Sequence, residues 1–199
     1  MLDPTVRRLL RPTTERVARR LAAAGIGANA LTLTGLVLGL ASATAAALAA
    51  WPAALVLWLT SRIPDGLDGP VARAAGTDGE RGGWLDLTAD FTVYGAFVVG
   101  CGIGNPDARV ACLVLLGTYY VNGTTLLAYS AAAERRRQRR PDDRTFHFHR
   151  GLAEGTETIV AHALLVLFPA VMAPIAWSFA GLVAITAAHR TGEVWRALA

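Results

Sequence analysis

The sequence predicts an all-α fold: an integral membrane bundle of six transmembrane helices preceded by an N-terminal interfacial amphipathic helix. Three observations lead there. Hydrophobic residues make up 53% of the 199 positions and the mean hydropathy is +0.39, too apolar for an ordinary soluble domain. The apolar residues gather into segments close to the roughly 20 residues that a bilayer crossing needs. The arginines crowd the ends of those segments, where a membrane protein meets anionic headgroups. The length allows one domain, read as residues 29–199, with residues 1–28 as the interfacial helix.

The N-terminal strip carries Arg7, Arg8, Arg11, Arg16, Arg19 and Arg20 between Val6, Leu9, Leu10, Val17 and Leu21. A helix so patterned lies in the plane of a membrane surface. No apolar core follows the first basic residues at the distance a cleavable signal peptide needs. Gly25 to Ala28 break that helix, and Asn29 is placed to cap the next one.

The six apolar segments fall near 30–50, 53–73, 83–104, 108–130, 151–170 and 173–190. Trp51-Pro52 parts the first two, Pro106 the third and fourth, and Pro169 and Pro174 the last two. The second is the least regular, because it holds Arg62, Pro64, Asp65, Asp68 and Pro70. Prolines inside it are expected to kink or locally unwind the helix.

With both termini in the cytoplasm, the N-terminal strip, the 74–82 loop, the 131–150 loop and the tail all lie inside. Only Arg109 then falls in an outer connection, as the positive-inside rule requires. This orientation turns Asp65 to Asp90 toward the cytoplasmic half of a cell membrane.

The net charge of +4 and the isoelectric point near 9.7 do not imply nucleic acid, because the basic residues track segment ends. All nineteen are arginine, which together with the alanine content reads as coding bias rather than mechanism. Cys101 and Cys112 lie in apolar stretches at no metal or redox spacing and read as packing residues. The run Ala133 to Arg144 reads as a solvated linker touching lipid headgroups, or as a segment folding over the site to bind an anionic acceptor.

Chemistry concentrates between Asp65 and Asp90. Acids inside membrane segments cost about 2.5–3.5 kcal/mol each on insertion scales, so four near one depth need a compensating partner. Asp65 and Asp68 form an i,i+3 pair and Asp86 and Asp90 an i,i+4 pair, so each pair shares one helix face. Two such faces opposed make an oxygen-rich cage for hard divalent cations. Gly66, Gly69, Ala72, Gly82 and Gly83 leave room for a helix or a phosphate to approach. Arg73, at the end of its segment, is placed to grip a phosphate oxygen. The rival reading pairs the acids with Arg62, Arg73 and Arg81 as salt bridges that only lock helices together.

The spacing D-x2-D-G-x2-A-R-x8-G-x3-D-x3-D resembles the signature of the CDP-alcohol phosphotransferases, integral membrane enzymes of phospholipid synthesis. The resemblance covers roughly residues 25–190, its specific part being 65–90. It implies a transferase that moves a phosphatidyl or similar group from a CDP-linked lipid donor, CDP-diacylglycerol above all, to a small alcohol or phospho-alcohol acceptor with release of CMP. It implies two divalent ions, Mg2+ or Mn2+, able to stabilise both attacking and leaving oxygens from about 4 Å apart. By position, Asp65, Asp68 and Asp86 match the metal ligands, and Asp90 matches the general base with some metal contact. Gly69, Ala72, Arg73 and Gly82 match positions near the CDP moiety. Asn29 and Thr32 resemble the family's N-x-x-T opening of the first membrane helix, which lies near the nucleotide. A homodimer embedded in membrane lipid is implied as well.

Glu154 and Glu157 form a further i,i+3 acidic pair in segment five. With Arg150 they are read as lining an acceptor pocket, against a structural pairing with Arg150, Arg190 or Arg62. Arginines favour a phosphorylated acceptor and glutamates an amino alcohol, so the acceptor stays open. Two other functions also stay open: transfer from a CDP-aminoalcohol to a lipid hydroxyl, and divalent-cation transport through the same acids. Arginine beside the acids opposes transport. His147 and His149 read as interfacial rather than as metal ligands.

Overall fold

A computed structural model gives the fold and describes residues 3–135 and 155–198. Among the described residues every regular element is helical. The helices are α1 (Asp3–Ala23), α2 (Ala28–Ala47), α3 (Trp51–Ala75), α4 (Glu80–Gly104), α5 (Arg109–Arg135), α6 (Gly155–Leu167) and α7 (Met172–Leu198). Single 3-10 turns, Pro106–Ala108 and Pro169–Val171, precede α5 and α7.

Local chemistry sets the boundaries. Gly25 (φ 77°) and Gly76 (φ 66°) end α1 and α3 in the left-handed conformation that glycine adopts without steric cost. After α3 the Gly76 amide donates to the Arg73 carbonyl at 3.3 Å and the Thr77 amide to the Ala72 carbonyl at 2.9 Å. That pairing is a Schellman motif, which satisfies carbonyls the helix end leaves open. Pro52 sits in the first turn of α3, where its missing N–H costs nothing. Two expectations are corrected. The cap of α2 is Gly27, in extended conformation with no side-chain bond, and Asn29 lies inside the first turn instead. α3 runs as continuous helix through Pro64 and Pro70, without local unwinding.

Short connections fold α2 onto α3, α4 onto α5 and α6 onto α7. α2 packs on α3 and α4, α4 on α5, α5 on α7, and α3 on α6, with α1 against α3. The interior is apolar, built on Trp58, Phe97, Leu115, Leu165, Met172 and Val183, all with 0–1% exposure. Large apolar side chains also face outward, among them Val37, Leu113, Val121, Trp177 and Ile185. Such a girdle suits lipid rather than water. Polar side chains tie helices together: the Trp58 indole N–H donates to the Ile159 carbonyl at 3.0 Å, and the Asn105 amide to the Pro169 carbonyl at 2.8 Å.

Four helical stretches are long and apolar enough to cross a membrane: Ala28–Ala47, Glu80–Gly104, Pro106–Ala131 and Pro169–Gly192. The protein is therefore a multi-pass membrane protein, with six helices following α1 among the described residues. α3 is set apart from those four stretches by the charges of Arg62, Asp65, Asp68 and Arg73. α6 is apolar but has 13 described residues, about 20 Å of helix at 1.5 Å per residue. The four residues before it, 151–154, lie outside the described residues.

Glycines let α2 and α4 cross closely. A Cβ on Gly100 would collide with the Ala43 carbonyl, and one on Gly104 with the Ala46 carbonyl. Small residues at a crossing let backbones touch where lipid provides no hydrophobic drive. Gly100→Leu is expected to destabilise the protein by about 1–3 kcal/mol, the usual cost of overpacking. Gly117, with no atom within 4 Å of its Cβ position, supplies the control. Thermal unfolding in detergent should show a lowered midpoint for Gly100→Leu and little change for Gly117→Leu. Equal midpoints would remove the crossing from the account.

Candidate active site

The turn 76–79 links the end of α3 to the start of α4, and both helices pack on α2, which sets the depth of the acids. Asp65 lies ten residues before the end of α3 and Asp90 ten after the start of α4, each about 15 Å along its helix. Helices joined by a short turn bring side chains at matched offsets to one level. Carboxylate oxygens of Asp65, Asp86 and Asp90 all lie within 4.8 Å of one another, each residue half-buried. α2 approaches this level closely because Gly35 has no side chain: a Cβ there would lie 3.2 Å from the Ser61 carbonyl and 3.6 Å from the Asp65 Cβ.

Asp68 stands apart from that trio. It is 6% exposed, its Oδ2 accepts from the Thr32 hydroxyl at 2.7 Å, and its Oδ1 accepts from the Gly69 amide at 2.6 Å. Thr32 of the N-x-x-T element thus reaches across from α2 to fix the fourth acid. Asn29 also faces the site mouth, its Oδ1 lying 4.0 Å from where Gly82 would carry a Cβ. Arg73 is exposed and folds back toward its own helix, a guanidinium nitrogen lying 3.4 Å from the Gly69 Cβ position. Ala72 is half-buried beside it.

Arg62 enters the cluster from one turn below. Its side chain is 7% exposed; Nη1 donates to Asp90 Oδ1 at 3.1 Å and lies 3.5 Å from Asp65 Oδ2. The guanidinium carbon sits 4.7 Å from the Trp58 ring centroid and 5.4 Å from that of Tyr94. Nε donates to the Ser61 hydroxyl at 3.1 Å. Below Arg62 a layer of rings closes the site. Trp58, Tyr94 and Phe97 pack around fully buried His162, whose Nε2 is 2.8 Å from the Tyr119 hydroxyl.

The donor set consists of carboxylate oxygens from two facing helices, which suits Mg2+ or Mn2+ and disfavours soft metals. The cluster can therefore hold a hard divalent cation. Of the residues expected to line an acceptor pocket, Glu157 lies half-buried in the first turn of α6, whereas Arg150 and Glu154 lie outside the described residues. His147 and His149 lie outside them as well.

The family model for CDP-alcohol phosphatidyltransferases matches residues 26–188. The chain is 35% identical over 198 residues to the inner membrane protein YnjF of Escherichia coli (strain K12), covering 98% of this chain and 94% of that one. It is 32% identical over 109 residues to the archaetidylinositol phosphate synthase of Pyrococcus horikoshii, covering 54% of this chain and 58% of that one. Its fold is similar to that of the phosphatidylinositol phosphate synthase of Mycobacterium tuberculosis, solved with CDP-DAG bound. That likeness has a TM-score of 0.75 at 22% identity, over 92% of this chain and 93% of the other. The same synthase was solved in complex with manganese and citrate, with a TM-score of 0.73. The chain belongs to the CDP-alcohol phosphatidyltransferase family. It is a membrane transferase of CDP-linked lipid chemistry.

Proposed function

We propose that this chain transfers a phosphatidyl group from CDP-diacylglycerol to a small hydroxyl-bearing acceptor, releasing CMP. The observation that carries the reading is the meeting of Asp65, Asp86 and Asp90 at one depth on the two helices that hold the D-x2-D-G-x2-A-R-x8-G-x3-D-x3-D spacing. The synthase structure that shares the fold and contains CDP-DAG supports the choice of donor.

Bound Mg2+ or Mn2+ offsets the charge that builds on phosphate oxygens and on the leaving group. Asp65, Asp68 and Asp86 would hold the ions that supply this chemistry, two of them by the family's pattern. Asp68 can take part because each carboxylate oxygen has a second lone pair beyond its bond to Thr32 or Gly69. Asp90 accepts the proton of the acceptor hydroxyl as the acceptor oxygen bonds to the lipid-side phosphorus and the anhydride bond to CMP breaks. Asn29, Thr32, Gly69, Ala72 and Gly82 line the nucleotide's approach, and Arg73 neutralises a phosphate oxygen at the mouth. The ring layer of Trp58, Tyr94, Phe97 and His162 keeps water from entering beneath. Glu157, with Arg150 and Glu154, belongs to the acceptor side.

The site faces the cytoplasm, α1 lies in the interface, and two copies form a dimer. The up-and-down order of α2 to α7 supports that orientation, because it puts the turn 76–79 and the end of α5 at one end of the bundle and the start of α5 at Arg109 at the other. On a background lacking Cys101 and Cys112, Gln138→Cys in intact cells should resist impermeant thiol reagents. Rapid labelling would reverse the orientation.

Purified protein given CDP-diacylglycerol and magnesium should release CMP when the right member of an acceptor panel is added. The panel should span glycerol phosphate, inositol phosphate, inositol, serine and amino alcohols. Release driven instead by diacylglycerol with a CDP-aminoalcohol would replace the proposed direction of transfer. Silence with every donor and acceptor would refute the reading.

A further inference from the structure

Arg62 lies in the carboxylate cluster as a cation already attached to the chain. Three anchors hold it there without the acids: the faces of Trp58 and Tyr94 and the Ser61 hydroxyl. With its side chain 7% exposed and its charge fixed at any working pH, it is a permanent positive charge at one edge of the cage. Its nitrogen occupies lone-pair directions on Asp90 Oδ1 and approaches Asp65 Oδ2, both of them oxygens of the proposed metal cage.

We propose that Arg62 competes with divalent cation for Asp65 and Asp90, holding the acids together before metal arrives and setting the metal concentration at which the site fills. The proposal rests on the metal reading above. Two physical effects point the same way. A like charge a few ångströms from a bound cation weakens its binding, the more so away from water. Hydrogen bonds from Arg62 must also be given up or shared before Asp90 can turn its oxygens to a metal. Linkage makes the effect reciprocal: whatever Arg62 withdraws from metal affinity, metal withdraws from the grip of Arg62 on the acids.

The test titrates Mn2+ into purified protein in detergent, following free Mn2+ by electron paramagnetic resonance, with thermal midpoints recorded alongside. Arg62→Gln should bind Mn2+ roughly tenfold tighter than the unchanged chain, within the range usual for coupled sites. Its metal-free midpoint should fall, because three neighbouring carboxylates lose their counter-charge, and Mn2+ should raise that midpoint by more than it does in the unchanged chain. Arg62→Lys keeps the charge but loses the planar fork, and should show a smaller gain in affinity. If Arg62→Gln does not fold, Arg62→Lys alone decides: unchanged or weaker Mn2+ binding overturns the proposal. Unchanged binding in Arg62→Gln would make Arg62 a packing residue. Weaker binding would make it a positioning residue that prepares the ligands. Absence of Mn2+ binding in every chain would sink the metal reading itself, and the proposal with it.

Discussion

Asp86→Asn is expected to abolish transfer while leaving insertion and helix content intact. Asp86 reaches the cluster from α4 and faces Asp65 on α3, with carboxylate oxygens of the two within 4.8 Å. Asparagine keeps the shape but replaces an anionic ligand by a neutral one, and hard cations need the charge. Stabilisation of the developing phosphate charge is then lost from the transition state rather than from ground-state binding. A loss of roughly 4 kcal/mol corresponds to about a thousandfold in rate. CMP release at low millimolar magnesium or manganese, normalised to folded protein, gives the comparison. Near-normal release would take Asp86 out of the metal centre.

The second large effect belongs to Asp90. Asp90→Asn should bind the CDP-linked donor with metal present, yet lose about 10²–10⁴ in the chemical step, the usual contribution of a general base. The carboxylate is half-buried, its Oδ1 held by Arg62. In the metal-free site that bond holds the Asp90 carboxylate toward Asp65. Single-turnover rate and metal-dependent donor binding, measured on the same variant, separate the roles. Binding that weakens and is rescued by excess metal would make Asp90 a ligand, and the proton would need another acceptor.

Much of this site was legible because its parts are periodic. The i,i+3 and i,i+4 spacings place Asp65 with Asp68 and Asp86 with Asp90 on shared faces, and the glycines between the two helices demand a close turn, which Gly76 makes in left-handed conformation. The all-helical fold followed from segment lengths alone. What the pattern could not carry is relative depth and rotation across helices. Asp68 and Asp65 look equivalent in sequence, yet one is engaged by Thr32 from α2 while the other joins the trio.

Arg62 read as one of three arginines able to pair with the acids. Only the packing of Trp58 and Tyr94 shows that it alone among them is held inside the cluster, as far as the described ion pairs go. A basic residue within an apolar helix, three positions before an acid, was the available signal. Gly35 gave none, since its role is the absence of a side chain opposite Ser61 on another helix. Asn29 misled because capping preference is local, whereas its neighbour across the mouth is Gly82. The prolines of α3 misled in the opposite sense. Sequence shows the missing amides at Pro64 and Pro70, but not that α3, packed against α2, α1 and α6, stays helical through them.

The central claim is that these aspartates form a divalent-metal centre. Its most direct test is the anomalous scattering of manganese in crystals of this chain grown with Mn2+. The account predicts a peak between α3 and α4, ligated by oxygens of Asp65 and Asp86 with Asp68 or Asp90 completing the set, and Arg62 drawn away from Asp90. A peak elsewhere, with Arg62 still bonded to Asp65 and Asp90 at saturating Mn2+, would contradict it.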